Sequence, residues 1–205
     1  AYPQELADFE TVLKKDLAKA GNEKRFAKDK KFWDDQLDAL GEPLYSDIQG
    51  PSVLEEARKR HGNPKLRSSD IEMKELFVAV KDYYLEPEPT KNLIDFCMNH
   101  QLSMTNLLLL GIRTYLSKVN NGQEDITIQN FISRRSTHDE WTSGGSRTIM
   151  FPCRTVIAPE TDFLSAAYEI QNMQNRIYMH SNYDPALIMD EMRKRYNTPE
   201  HTGYE

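Results

Sequence analysis

Histidine is the first residue type to consider for chemistry, because its side chain exchanges protons near neutral pH. The five histidines of the sequence stand apart, and none lies four residues from another as in a helical zinc motif. The two cysteines form no Cys/His spacing of a metal site. His138 is followed by Asp139 and Glu140, which is typical of an exposed loop rather than of an oriented catalytic base. The pattern predicts no bound metal.

Nucleophile and phosphate-loop motifs are also absent from the sequence. It contains no G-x-S-x-G elbow, no Walker A segment and no G-x-G-x-x-G fingerprint. Gly144-Gly145 is typical of a flexible turn. Ser133-Arg134-Arg135-Ser136 has two open interpretations: an exposed strand end, or a site for a phosphate-bearing partner or an inward-facing ion pair. No catalytic residues and no resident cofactor are predicted for this chain.

Helices and strands alternate along the sequence, which predicts an α/β layer fold. Thr90 and Ser103 are expected to cap the two central helices. Pro152 interrupts a strand and predicts an edge or a bulge there. Leu107 to Ile112 is apolar nearly all round, which predicts a central helix. Helices are expected at about 3–20, 23–40, 90–100, 103–122, 161–179 and 184–196, one helical turn at 55–60, and strands at about 71–80, 125–133 and 148–158.

Composition argues against several classes of protein. The net charge of -6 gives no strong basic field, so nucleic-acid binding is not expected. The longest apolar run is too short to span a bilayer, and no signal peptide is expected. Cys97 and Cys153 lie in apolar surroundings, which predicts two buried reduced thiols and a cytoplasmic protein. Because the first residue is Ala1, we expect a piece of a longer protein.

Several ordered segments resemble the condensation domains of nonribosomal peptide synthetases, a family with the chloramphenicol acetyltransferase-like fold. Asp125-Ile126 with Arg135 matches the family phrase D(V/I)..G.....R, although Gln129 replaces the glycine. Gly145, Pro152 and Arg154 match G.FVNT.P.R, although Ile149-Met150 replaces its central Asn-Thr pair. The other matching segments are Phe32-Trp33 with Leu37, Leu93 with Phe96-Cys97, Leu102-Ser103 with Leu107 to Leu110, Phe163, and His180 with Tyr183.

The HHxxxDG motif of that family, whose second histidine is catalytic, does not occur in the 205 residues. The resemblance therefore implies the C-terminal lobe of a condensation domain, inactive alone and lacking the N-terminal lobe. The expected fold is a mixed β-sheet flanked by helices. Residues 1–69 would be a helical segment leading from the other lobe, and residues 70–205 the α/β lobe itself.

The resemblance also implies a function for this lobe. It would form half of a channel in which an acceptor amine attacks a carrier-bound thioester to make an amide. Its partners would be the other lobe, carrier proteins with phosphopantetheine arms, and an adenylation domain in the parent chain. Arg135 and Arg154 are expected to anchor strand ends, with Ser133 and His180 as further structural or channel-facing candidates. The isolated piece is expected to self-associate through the apolar surface it exposes.

Three alternatives stay open at this point. A degenerate condensation-like domain would dock carrier proteins without catalysis, which the loss of the Asn-Thr pair favours. A related stand-alone acyltransferase would use the same histidine motif to acylate an alcohol. An unrelated α/β domain would carry the short matches by chance.

Overall fold

The computed structural model describes residues 6–66 and 80–197. Within them the chain forms helices and a small sheet, which confirms the predicted α/β class. None of the described helices is both long and apolar enough to cross a membrane. The helices are α1 (Phe9–Ala20), α2 (Glu23–Leu40), α3 (Pro51–His61), α4 (Pro87–Asn99), α5 (Met104–Val119), α6 (His138–Thr142), α7 (Phe163–Met179) and α8 (Pro185–Tyr196), and the strands are β1 (Asp125–Ser133) and β2 (Thr148–Val156).

The chain divides into two compact units. The first unit comprises 1–42, 129–153 and 175–198, and the second comprises 43–128, 154–174 and 199–205. Both strands and α7 contribute residues to both units. The boundary predicted between residues 69 and 70 lies outside the described residues, as does nearly all of the strand predicted at 71–80, so both stay predictions.

Strands β1 and β2 pair in one two-stranded sheet. The Arg134 amide donates to the Arg147 carbonyl, and the Ile157 amide donates to the Glu124 carbonyl. These bonds fix an antiparallel register without a bulge. The same register sets Pro152 opposite Gln129 at a position without hydrogen bonds between the two strands. Pro152 therefore removes no bond to β1, and the strand runs through it.

Several predicted helix ends are corrected by the caps. Helix α1 begins at Phe9 rather than near Pro3, because the Asp8 carboxylate accepts from the amides of Glu10 and Thr11. Helix α4 begins at Pro87, so Thr90 is not its cap. The Thr90 hydroxyl instead donates to the Glu86 carbonyl at 2.9 Å, inside the first turn.

Two further helices differ from the sequence-based expectation. Helix α3 extends from Pro51 to His61 and exceeds the single turn predicted at 55–60, since Pro51 suits its first turn and Gly62 ends it in the left-handed conformation. Helix α6 occupies a stretch predicted as loop. Its five residues are too few to show helical periodicity. The cap of α5 is confirmed, because the Ser103 hydroxyl accepts from the Asn106 amide.

The core of the first unit is aromatic. Trp33 on α2 stacks on Phe151 of β2, with ring centroids 5.4 Å apart and planes inclined by 7°. Phe32 packs on Trp33 in a T-shaped arrangement, with ring centroids 4.9 Å apart, and the indole nitrogen of Trp33 donates to the His180 carbonyl at 3.4 Å. Ile132 and Ile177 are fully buried in the same unit. Helix α2 therefore covers the sheet face that carries Phe151.

The core of the second unit surrounds α5. Arg113 is buried and donates to the Thr155 hydroxyl at 3.2 Å and to the carbonyls of Glu124 and Ile157. Helix α5 was predicted to be central, and Leu107, Leu109 and Leu110 are buried. Its other side, with Leu108, Ile112 and Tyr115, is exposed. Helical periodicity cannot tell which apolar positions obtain a partner. The exposed side of α5 joins α4 and Phe163 around an apolar groove of about 820 Å³.

Replacing Trp33 by alanine should lower the free energy of unfolding by about 3–5 kcal/mol, because it leaves a cavity against Phe151. The other tryptophan, Trp141, is 66% exposed, whereas Trp33 is 4% exposed. Trp141→Ala is therefore a matched control, expected within about 0.5 kcal/mol of the parent chain. Urea titrations followed by circular dichroism measure both variants.

Should Trp33→Ala fail to fold, Trp33→Phe provides the same test with a smaller loss of volume. Equal destabilisation by the substitutions at positions 33 and 141 would contradict the packing of α2 described above.

Candidate functional site

The sheet has one packed face and one open face in the first unit. Phe151 on the packed face is 1% exposed beneath Trp33. Side chains alternate along a strand, so Phe131 and Met150 lie on the opposite face, where they are 66% and 44% exposed. Ser133 and Thr148 are exposed on the same face. We call Phe131, Ser133, Thr148 and Met150 the open face.

Arg135, a predicted site residue, holds the connection between the two strands. Its guanidinium donates to the Ser143 carbonyl at 3.1 Å, to the Gly145 carbonyl at 2.8 Å and to the Glu140 carbonyl. A planar fork with five donors suits three carbonyl partners of one loop. Through these bonds the side chain braces the loop that joins β1 to β2.

Glu140 is the second organiser of this connection, and the sequence analysis missed it. One carboxylate oxygen accepts from the Ser136 amide at 2.7 Å, the Ser136 hydroxyl at 2.8 Å and the Thr137 amide at 3.0 Å. The other accepts from Lys19 at 2.7 Å and Arg147 at 3.4 Å. The Thr137-x-x-Glu140 spacing is a capping box, a signal that could have revealed this role.

Burial of Glu140 opposes its ionisation, yet the hydrogen bonds from Lys19, Ser136 and Thr137 outweigh that effect and hold its pKa well below the usual range. Arg147 continues the network by donating to both oxygens of Asp16, at 2.6 and 3.0 Å. The Asp16 pKa is lowered chiefly by that bond. Helix α1 is thereby tied to the strand connection.

Arg154, the second matching arginine, lies in the second unit. Its guanidinium donates to both oxygens of Asp125, at 2.8 and 2.5 Å. The arginine side chain is 7% exposed and the aspartate side chain 13%. Removing one partner of such a nearly buried bidentate ion pair is costly, because the remaining charge stays desolvated. The pair joins the first residue of β1 to the last part of β2.

His180 lies just beyond the C-terminal end of α7 in the first unit. Its Nδ1 is 2.8 Å from the buried Asp29 carboxylate on α2. Its ring stacks on Phe32 at 4.2 Å, with planes 11° apart. These two contacts make His180 part of the packing between α2 and the end of α7.

The predicted site residues of the first unit therefore lie in three different environments and do not contact a common site. Ser133 lies on the open face, Arg135 turns into the strand connection, and His180 packs against α2. Within residues 6–66 and 80–197, no three His, Cys, Asp or Glu side chains gather to hold a metal ion.

A family model described as the condensation domain matches residues 4–202. The chain belongs to the condensation-domain family.

Relatives of the condensation family confirm that resemblance. A plipastatin synthase of Bacillus subtilis (strain 168) is 23% identical over 170 residues, which are 82% of this chain and 6% of that protein. The first condensation domain of the calcium-dependent antibiotic synthetase, solved with a substrate analogue, is 16% identical with a TM-score of 0.70. VibH, a condensation enzyme of a nonribosomal peptide synthetase, is 14% identical with a TM-score of 0.66.

These structures share the condensation-domain fold with the chain, which confirms the predicted fold. The alignments cover 94% and 99% of this chain, but only 38% and 42% of the two solved chains. The chain thus spans about two fifths of the solved condensation domains it matches.

Two departures from the condensation-family phrases fall on different faces of β2. Met150, in place of the family's threonine, lies on the open face, whereas Ile149, in place of the asparagine, points to the packed side. Gln129, in place of the glycine, lies on the same face as Met150 by strand alternation. Larger side chains therefore replace small ones on the open side of this condensation-family sheet.

Replacing Glu140 by glutamine should lower the free energy of unfolding at pH 7 by about 2–3 kcal/mol, because charge-assisted hydrogen bonds are lost. The folded-state pKa of Glu140 is depressed, so its contribution is complete above the unfolded pKa of about 4.3 and declines as the pH falls below it. The gap between Glu140→Gln and the parent chain should therefore shrink between pH 5 and pH 3.

Denaturant titrations at a series of pH values measure that gap. Glu160→Gln, on an exposed turn, is the control and should show no pH-dependent difference of this size. A gap for Glu140→Gln that stays constant with pH would show that its carboxylate is not preferentially ionised in the folded chain.

Proposed function

We propose that this chain is the C-terminal portion of a condensation domain and that its open face forms one wall of the channel where an amide is made. The observation that carries the proposal is the open face itself. The chain belongs to the condensation family, and the sheet is covered on one side by α2 in the first unit while Phe131 and Met150 stand exposed on the other.

In the proposed reaction, an acceptor amine attacks the carbonyl carbon of a carrier-bound thioester. The tetrahedral intermediate collapses to an amide and releases the thiol of the phosphopantetheine arm, while the amine gives up a proton. The HHxxxDG motif, whose histidine would handle this proton, does not occur in the 205 residues, and an N-terminal lobe would supply it. The contribution of this chain is to hold the reacting groups in line and to exclude water.

The proposed partners follow from the same function. Carrier proteins would deliver the two substrates on phosphopantetheine arms, an adenylation domain would load them, and an N-terminal lobe would supply the opposite wall. The first unit supports this need for a partner, because Phe9, Leu13 and Leu17 form an exposed apolar stripe along α1, and Leu6 is exposed just before it. The isolated chain is expected to self-associate through such surfaces.

Arg135, Glu140 and Arg154 are proposed to act by positioning. Arg135 and Glu140 hold the connection between β1 and β2. The ion pair of Arg154 with Asp125 holds the opposite end of the two strands. The side chains of a channel wall must stay within a fraction of an ångström of their productive positions. Anchored strands meet this requirement better than flexible loops do.

Amide formation by the full gene product that contains this sequence tests the proposal. Aminoacyl and acyl groups are loaded on carrier proteins, and intact-protein mass spectrometry follows the transfer between them. We expect an amide product. Phe131→Asp should slow its formation about tenfold or more, because a charge on the wall must be desolvated when substrate arrives.

Phe163→Asp is the matched control, since Phe163 is 58% exposed in the second unit. This substitution should leave the rate of amide formation unchanged. Amide formation at the parent rate by Phe131→Asp would contradict the role of the open face. Retention of carrier proteins without amide formation would replace the proposal by the non-catalytic docking module, which the Ile149-Met150 departure also fits.

A further inference from the structure

The connection from α5 to β1 begins with two asparagines in opposite environments. Asn120 is buried, and its side-chain amide accepts from the Asp47 amide at 3.1 Å and donates to the carbonyls of Asp47 and Leu116, both at 2.9 Å. Asn121 is exposed, as is Gly122 after it. Water therefore reaches the Asn121 side chain, whereas the surroundings of Asn120 hold its amide in place.

Asn121-Gly122 is the one Asn-Gly pair in the 205-residue sequence. Glycine has no side chain, so its backbone nitrogen can approach the side-chain amide of a preceding asparagine. In that reaction the glycine nitrogen bonds to Cγ of the asparagine, the bond from Cγ to the side-chain nitrogen breaks, and ammonia leaves with the proton of the glycine nitrogen. Water then opens the resulting succinimide ring to aspartate or isoaspartate.

The backbone of the same pair closes the C-terminal end of α5. Asn121 has a φ of 59° and Gly122 a φ of 77°, so both are left-handed. The Gly122 amide donates to the Ser117 carbonyl at 2.8 Å, and this bond beside a left-handed residue is typical of a Schellman cap. The nitrogen that must attack Asn121 is therefore held in a hydrogen bond as long as the cap is closed.

We propose that Asn121 is a site of spontaneous deamidation whose rate is set by opening of the α5 cap. Helix ends open locally at a free energy below that of global unfolding, so the Gly122 nitrogen is released while the rest of the chain stays folded. The reaction needs no reactant other than water. It is independent of amide formation and therefore of the proposed function.

Isoaspartate at position 121 would change both the backbone and the charge of the cap. Its extra backbone carbon displaces the Gly122 amide from the Ser117 carbonyl. Its carboxylate lies at the C-terminal end of α5, where the helix dipole disfavours negative charge. The following residues lead directly into β1, and the Gln123 side chain donates to the Asp125 carbonyl at 2.8 Å. Deamidation would therefore loosen the start of β1.

Peptide mapping by mass spectrometry tests the inference on the 205-residue chain. One sample is kept folded and a second is kept in urea, both at the same mildly alkaline pH, and an isoaspartyl methyltransferase marks the product. In the folded chain we expect isoaspartate at position 121 and none at position 120. It should form about ten- to a hundredfold more slowly than in urea, because the reaction waits for the cap to open.

Lys118→Gly weakens the last turn of α5 at an exposed position. Since glycine disfavours a helix, this change should speed deamidation of the folded chain about three- to fivefold and leave the rate in urea unchanged. The matched control is Lys14→Gly at an exposed position of α1, which should not alter the rate. Asn121→Gly keeps a residue suited to the left-handed position and should abolish the product.

A folded chain that keeps Asn121 intact while the sample in urea is converted completely would overturn the inference. Equal rates in the folded and the urea samples would overturn it as well, since the cap would then not control the reaction. The same holds if Lys118→Gly deamidates no faster than Lys14→Gly.

Discussion

The stacking of Trp33 on Phe151 is the interaction on which the first unit depends. A two-stranded sheet has two faces, and among the described residues of the first unit a helix packs on the face that carries Phe151. Because α2 covers the Phe151 face, the alternation of the strands leaves Phe131 and Met150 on the other side. A slip of one residue in the register would exchange the two faces, so the buried aromatic stack also determines which side chains another molecule can reach.

Charged side chains, of which Glu140 and Arg154 are buried, secure the strands on which this arrangement depends. Arg135 binds three carbonyl groups of one loop, Glu140 accepts from five donor atoms, and Arg154 grips Asp125 with both ends of its fork. Such groups are costly to bury unless every partner is present. They therefore specify one path for the connection and one alignment of the strand ends, which is what a channel wall requires.

Local patterns predicted much of this fold. The bounds of β1 match the expected 125–133, because its alternation ends in Ser133 and the charged pair beyond it. The cap of α5 at Ser103 and the ends of α2 follow from short-range rules. Helix α6 was missed, since five residues show no periodicity, and the exposed side of α5 was missed, since periodicity does not reveal which apolar residues find partners. The condensation resemblance was confirmed over residues 4–202.

The site itself was less accessible to sequence reasoning. Arg135 could be selected from the family phrase, but its carbonyl partners depend on the path of the loop. The contact of His180 with Asp29 joins residues 151 positions apart, which no local pattern indicates. Met150 could be recognised as a departure from the family phrase, whereas its exposure followed only once the packing of Trp33 was known.

Thiol labelling tests the central claim, that one sheet face is closed and the other open. Both native cysteines are buried, and Cys153 lies on the closed face. The Met150→Cys variant adds a thiol on the open face, three residues away. With a maleimide reagent and peptide mapping by mass spectrometry, the thiol at position 150 should react about a hundredfold faster than that of Cys153, which must wait for local opening. Equal labelling rates at the two positions would contradict this account.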